Sequence, residues 1–496
     1  MKKTLLILVI SLALVISACA PQQATLPPQA PAEVTAAPTQ GESTTVPGPQ
    51  TQVGPTTAPA GTAGEASIGD PYAPELGNTG YDVDHYTLRL SLDPEQTAIS
   101  GHATIQAVST IDQLDELTLD FTGFEIDQIT SEPGGVSFSR PANKLQIDFP
   151  TPLAQGEAFT LEVTYHGTPT MEPSAYVPFV DSLGLQFDAE TSTIYVVAEP
   201  DGAHYWFPCN DHPQDKATFR FELTVPEGQV GVANGSLVDT RTEVQNAFPD
   251  GRPGDLYIWE HNYPMAPYLA TAAVGNYVRV ESTSPGGVHL RSYVFPENQA
   301  YFENLSPTLG EMIDWMGAQF GPYPFEEFGY VQVNGLGASL ETQTMVILSV
   351  SSGESTMAHE LSHMWFGDWV SLDSWGEIWR NEGMATYVTQ MWEARNNPDG
   401  LEQALQDWEQ DIEANPSGYP LGSPPKMEMF GRDSYYKGAV VFHALRTEIG
   451  DQAFFQGVQT YLQRYGGGSA SDPQFQEVME EASGKSLDNF FEAWFE

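Results

Sequence analysis

From residue 71 onward the apolar positions follow two different rhythms. As far as about residue 274 the spacing is two. Tyr86-Thr87-Leu88-Arg89-Leu90-Ser91-Leu92 alternates apolar and polar side chains, as a half-buried strand does. Gly101–Val108, Glu116–Leu119, Phe159–Tyr165, Thr193–Val197 and Ala217–Thr224 read as further strands, with Val288–Val294 just beyond. Gly and Pro turns at Glu132–Gly135, Pro150–Gly156 and Pro249–Gly251 separate many of them. No internal repeat is visible. Short strands at this spacing predict an N-terminal antiparallel β saddle or sandwich over residues 71–274.

After about residue 295 the rhythm becomes helical. Phe302–Phe320, Ser355–Val370, Asn381–Asn396, Leu401–Glu413, Tyr435–Ile449, Asp451–Tyr465 and Asp472–Ala482 are predicted helices. In Tyr435–Ile449 the residues Ala439, Val440, His443 and Ala444 fall near one stripe. Two short β segments, Gly329–Val333 and Thr344–Leu348, interrupt this second body. The prediction is a multidomain chain whose 275–496 part is α+β and mostly helical.

The first seventy residues belong to neither body. Lys2 and Lys3 precede a nearly unbroken apolar run, Thr4–Ile16, with the shape of a processing signal rather than a membrane span. It ends in Ile16-Ser17-Ala18-Cys19, which resembles a bacterial lipobox. The expectation is a lipoprotein signal over residues 1–18 and a lipidated, palmitate-bearing Cys19 that joins the protein to membrane lipid. An ordinary secretory signal is the plainer alternative. Residues 19–70 are rich in Pro, Thr and Ala and read as a disordered tether. The expected location is extracytoplasmic, in the cell envelope, anchored to a bacterial membrane.

Composition narrows the partners. Of 496 residues, 19 are Lys or Arg and 66 Asp or Glu, a formal net charge of −47. Such a surface repels phosphate backbones, so no nucleic-acid partner is expected. Two cysteines, Cys19 and Cys209, exclude a disulfide framework. Cys209 reads as a buried structural thiol.

One segment carries the chemistry. His359-Glu360-Leu361-Ser362-His363 places two imidazoles four residues apart, on one face of a helix, with Glu360 beside them. Glu382, nineteen residues beyond His363, supplies a third ligand from the next predicted helix. Two histidines and a glutamate leave one coordination position for water on a single Zn²⁺, the arrangement a metal-assisted hydrolase needs.

The span Met357–Tyr387 resembles the signature of the M1 family of gluzin aminopeptidases, the membrane-alanyl and leukotriene-A4-hydrolase-like enzymes. Trp365-Phe366-Gly367 and Asn381-Glu382-Gly383 match its later landmarks. The resemblance covers roughly Tyr81 to Glu496. It implies a thermolysin-like catalytic domain over 275–496, Glu360 as general base and Tyr435, in Tyr435-Tyr436-Lys437-Gly438, as the donor to the oxyanion. It assigns Glu341 and Glu199 to the substrate's free amine. Ala338, Ser339, Leu340 and Thr342 then form the substrate loop. Leu340 stands where the family has methionine, Thr342 where it has asparagine, and Ala338 where it has glycine. Near Glu199, His204 replaces the usual arginine and His212 the usual glutamate.

The resemblance implies a short bacterial lipoprotein form lacking the family's C-terminal domains. The implied activity is a zinc-dependent aminopeptidase acting on peptides with a free N-terminus. Two alternatives stand beside it at this point. One is a zinc endopeptidase or other hydrolase using the same metal; the other is a catalytically silent, surface-tethered binding protein.

Overall fold

A computed structural model describes residues 61–169, 173–177, 180 and 182–495. The expected signal over 1–18, Cys19 and most of the tether lie outside the described residues.

The alternating pattern produces strands with one buried face. In Ile99–Ser109 and Ala217–Val225 nearly every second residue is buried. Seven strands form the main sheet, in the order Ser236–Val244, Gly254–Met265, Ala217–Val225, Tyr81–Ser91, Ile99–Ser109, Ala158–Gly167 and Glu125–Glu132. All pairs are antiparallel except Tyr81–Ser91 with Ala217–Val225. Two four-stranded sheets complete this N-terminal β domain. Thr193–Val197 is buried at all five positions in one of them, and it delivers the chain to Glu199.

Residues ahead of the expected start at residue 71 also belong to the β domain. Thr62 and Ala63 pair in parallel with the strand Leu114–Asp120. Asp70 is buried, and its carboxylate accepts hydrogen bonds from Tyr72 N, Ser374 Oγ and Trp375 N and pairs with His212. Small residues there let the backbone lie close to a sheet edge, which composition alone read as tether.

The second domain opens with a four-stranded sheet, ordered Val278–Thr283, His289–Val294, Glu327–Val333 and Met345–Ser349. Eight α-helices are described: α1 Gln299–Phe320, α2 Glu354–His363, α3 Trp379–Glu393, α4 Pro398–Ala414, α5 Gly438–Ile449, α6 Asp451–Tyr465, α7 Asp472–Ser483 and α8 Asp488–Phe495. The N-terminus of α7 carries a capping box between Ser471 and Gln474. Among the described residues no helix is long and apolar enough to cross a membrane.

Two predicted helices differ in ways that matter for the site. The helix expected over Ser355–Val370 ends at His363. Met364 and Trp365 close a tighter turn, and Gly367 has φ +126°, which an L side chain rarely adopts. The chain therefore leaves the helix directly after the second histidine. The helix expected from Tyr435 begins instead with a π turn, Asp433–Lys437, and becomes α only at Gly438.

Candidate active site

Helices α2 and α3 pack antiparallel. His359 of α2 meets Glu382 near the start of α3, while Glu354 at the start of α2 accepts a hydrogen bond from Trp392 Nε1 near the end of α3. Glu382 is therefore placed against the two histidines by helix packing and not by a loop. His359 Nε2 lies 3.2 Å from His363 Nε2. Glu382 Oε2 lies 3.1 Å and 3.5 Å from these two nitrogens. His363 Nδ1 donates to the Phe366 carbonyl at 3.0 Å, so in the neutral ring Nε2 carries the lone pair facing the cluster.

These separations fit a cation. Zinc bonds of about 2.0–2.1 Å in a tetrahedron set ligand atoms roughly 3.3 Å apart. Two imidazole nitrogens that close, with a carboxylate oxygen between them, form a donor set that a divalent ion satisfies. His359, His363 and Glu382 are accordingly a group able to hold one metal ion. Burial alone would push the Glu382 carboxyl up, but His363 and His359 hold it down at about 2, so it is ionised and ready to bind a cation.

Around this cluster sit three more carboxylates. Glu360 is buried beside it, and burial together with Glu341 and Glu382 pushes its carboxyl well above the usual range. Glu199, Glu341 and Glu382 each offer an oxygen within 4.8 Å of the others. Glu199 and Glu341 are both buried, and in each Oε1 has no hydrogen-bond partner. Burial, then Glu341 and Glu382, pushes Glu199 well up. Unpartnered buried carboxylate oxygens are costly unless a cation completes them.

The π turn brings Tyr435 over the cluster. Its ring stacks on that of His359, with centroids 5.8 Å apart and planes at 20°. Burial, then Glu382 and Glu199, raises its phenol well above its ordinary value, so it stays a proton donor. A close helix crossing fixes this turn. Gly383 of α3 and Gly438 of α5 meet backbone to backbone, with no room between them for a Cβ.

The expected substrate loop runs as an edge beside the strand Met345–Ser349. Leu340 N donates to Ile347 O, and Ile347 N donates back to Leu340 O. Ala338, Ser339, Leu340 and Glu341 line the cavity. Thr342 does not line it: its hydroxyl donates to the Met345 carbonyl and closes the turn. The two histidine departures are structural. His204 pairs with Asp211 at 2.8 Å, and His212 pairs with Asp70 at 3.2 Å, tying the β domain to the Ser374–Trp375 segment. Cys209 is buried and free, and burial pushes its thiol well up.

The cavity has a volume of about 650 Å³, and among the described residues that line it none is Lys or Arg. Several lining residues had no sequence signal of their own: Val177, Val180, Phe430 and Trp408 come from segments far apart in the chain. Thr386 and Thr389 were legible in principle, since they stand four and seven residues after Glu382 on the same helical face.

Comparison with known proteins agrees with this geometry. Residues 82–269 match the Peptidase M1 N-terminal domain, and residues 324–494 the Peptidase family M1 domain. Over 447 residues the chain is 25% identical to aminopeptidase M1-D of Oryza sativa subsp. japonica, covering 82% of this chain and 49% of that one. It is 26% identical over 482 residues to the puromycin-sensitive aminopeptidase of Caenorhabditis elegans, covering 88% and 49%. The chain thus spans about half the length of the curated relatives it matches. The crystal structure of an M1 zinc metallopeptidase from Deinococcus radiodurans superposes with a TM-score of 0.77 at 28% identity, covering 86% of this chain and 96% of that one. A variant of that protein bound to a Tyr-Ser-Ala substrate gives 0.76 at 28% identity, covering 87% and 97%.

These matches correct one expectation. Both an N-terminal and a C-terminal peptidase domain are present, and a two-domain metallopeptidase is covered almost whole. The short lipoprotein form lacking C-terminal domains is therefore set aside. None of the comparisons supports attachment to lipid through Cys19.

Proposed function

Because this chain belongs to peptidase family M1, we propose that it is a zinc-dependent aminopeptidase that removes residues from peptides with a free N-terminus. One observation carries the reading. Two buried carboxylates with unpartnered oxygens, Glu199 and Glu341, converge with Glu382 beside a His-His-Glu metal site. The metal ligands serve a hydrolytic centre, and a substrate bearing a cation would complete the other two.

His359, His363 and Glu382 would hold one zinc ion, which when bound acidifies water and polarises a carbonyl. Glu199 and Glu341 bind the terminal ammonium and so set the first peptide bond at the cluster. A pocket of that charge also disfavours an internal, neutral peptide segment. Glu360 takes the proton of the attacking water and returns it to the leaving amine. The Tyr435 phenol donates a hydrogen bond to the oxygen on which negative charge develops.

Glu341→Gln and Glu199→Gln test the assignment. Each is expected to lower kcat/KM for free peptides by more than tenfold while zinc content stays at one per chain. Undiminished turnover in both variants would move the reading to the endopeptidase alternative. A location outside the cytoplasm, in the cell envelope, is proposed from the leader pattern of residues 1–18 alone. Recovery of the protein in the cytoplasmic fraction of its host would refute it.

A further inference from the structure

The cavity continues past the metal cluster, and its far part has a chemistry of its own. With the ammonium held by Glu199 and Glu341 at the Glu382 end of α3, the residues after the first would have the rest of the cavity, along α3, to occupy. The floor there is the α3 stripe Thr386, Thr389 and Gln390. At a rise of about 1.5 Å per residue, Thr389 lies roughly 10 Å along the axis from Glu382. One wall is the start of α2, with Ser355 and Thr356. The other wall comes from α4 and the π turn.

Helix α4 lies antiparallel along α5. Glu402 meets His443 at 3.1 Å, and Asp411 meets Arg432 at 3.3 Å. Between these contacts Trp408 is set against Tyr436, their ring centroids 4.8 Å apart and their planes at 40°. Both side chains line the cavity. Tyr436 is 43% exposed. Of the six large apolar side chains that are exposed among the described residues, it is the only one that lines this cavity. The wall thus presents an aromatic face opposite the hydroxyl and amide side chains of Ser355, Thr356, Thr386, Thr389 and Gln390.

We propose that Trp408 and Tyr436 form a binding ledge for the leaving part of the peptide, taking an aromatic or large apolar side chain in one of the two residues after the scissile bond. This rests on the aminopeptidase reading. Ring-against-ring contact, together with the area removed from water, favours such a side chain over a small polar one. Among the described lining residues none is Lys or Arg, so the proposal is for recognition of a side chain and not of the peptide's terminal carboxylate.

The test compares Leu-Phe-Ala-Ala and Leu-Ala-Phe-Ala with Leu-Ser-Ala-Ala, using the full-length zinc-loaded protein and its Trp408→Ala, Tyr436→Ala and Trp408→Phe variants. At least one Phe peptide is expected to have the higher kcat/KM with the unaltered protein. Trp408→Ala and Tyr436→Ala should lower that value by about fivefold to tenfold and leave the Ser peptide within about twofold. Trp408→Phe should retain most of the preference. Equal losses on all three peptides, or a Phe preference that survives both alanine variants, would overturn the ledge and leave the aminopeptidase reading intact. If the unaltered protein removed no N-terminal residue from any of them, both would fall.

Discussion

Replacing Gly438 by alanine tests how the fold positions Tyr435. A Cβ at residue 438 would stand 2.8 Å from Gly383 Cα and 2.9 Å from the Trp379 carbonyl oxygen. Ordinary carbon contacts begin near 3.5 Å, so the crossing must open by about 0.7 Å. Both obstacles are helix backbone, which cannot rotate away. Overpacking of this kind costs about 1–3 kcal/mol. Gly438 follows Tyr435 by three residues, less than one turn, so the displacement falls on the tyrosine. A misplacement approaching 1 Å costs on the order of 10²-fold in rate, and complete loss of an oxyanion donor about 10²–10³-fold. Gly438→Ala is therefore expected to lower kcat roughly 10- to 100-fold, change KM less than threefold and keep its zinc. The decisive arm is the same substitution in a Tyr435→Phe background, where little further loss of kcat should follow. Urea unfolding of all four proteins, with kcat on one peptide, provides the measurement. Full kcat in Gly438→Ala, or the same fold loss with and without the phenol, would refute the reasoning.

Other predictions follow from the same structure. Glu360→Gln should retain one zinc and lose about 10²–10⁴-fold in kcat, checked by metal analysis and peptide assay. Glu382→Gln and His363→Ala should instead lose zinc on dialysis, because each removes a ligand. Asp70→Ala should lower unfolding free energy by about 3–5 kcal/mol in urea titration, since it leaves His212, Ser374 and Trp375 N without their buried acceptor. His261 predicts a pH effect. Burial, with Arg291 and Lys216 nearby, lowers its imidazole to about 3, while Gln343 and Glu326 face its ring nitrogens. Its folded value lies below its unfolded one of about 6.5, so this stability is present above pH 6.5 and lost as pH falls toward 3. The ceiling is about 5 kcal/mol. Thermal melts from pH 7 to 4 should show the decline, and His261→Leu should flatten it.

The cluster of His359, His363 and Glu382 was legible because helix geometry turns a four-residue spacing into proximity. The remainder of the cavity was not, because it is made by contacts between distant segments. Val177 and Phe430 share no local pattern, and Trp408 reaches Tyr436 only because α4 folds back along α5. Strands such as Gly254–Met265 escaped notice since their burial does not alternate cleanly. The early end of α2 turned on one backbone angle at Gly367, and the π turn before α5 on a local widening that residue type does not announce. Thr342 shows the same limit: the substitution was visible, its inward hydrogen bond was not.

The most direct measurement is mass spectrometry of a peptide pool, half of it N-acetylated, incubated with zinc-loaded protein, chelated protein and Glu360→Gln. Stepwise loss of N-terminal residues is expected from free peptides alone, and none in either control. Cleavage within the acetylated peptides would contradict it.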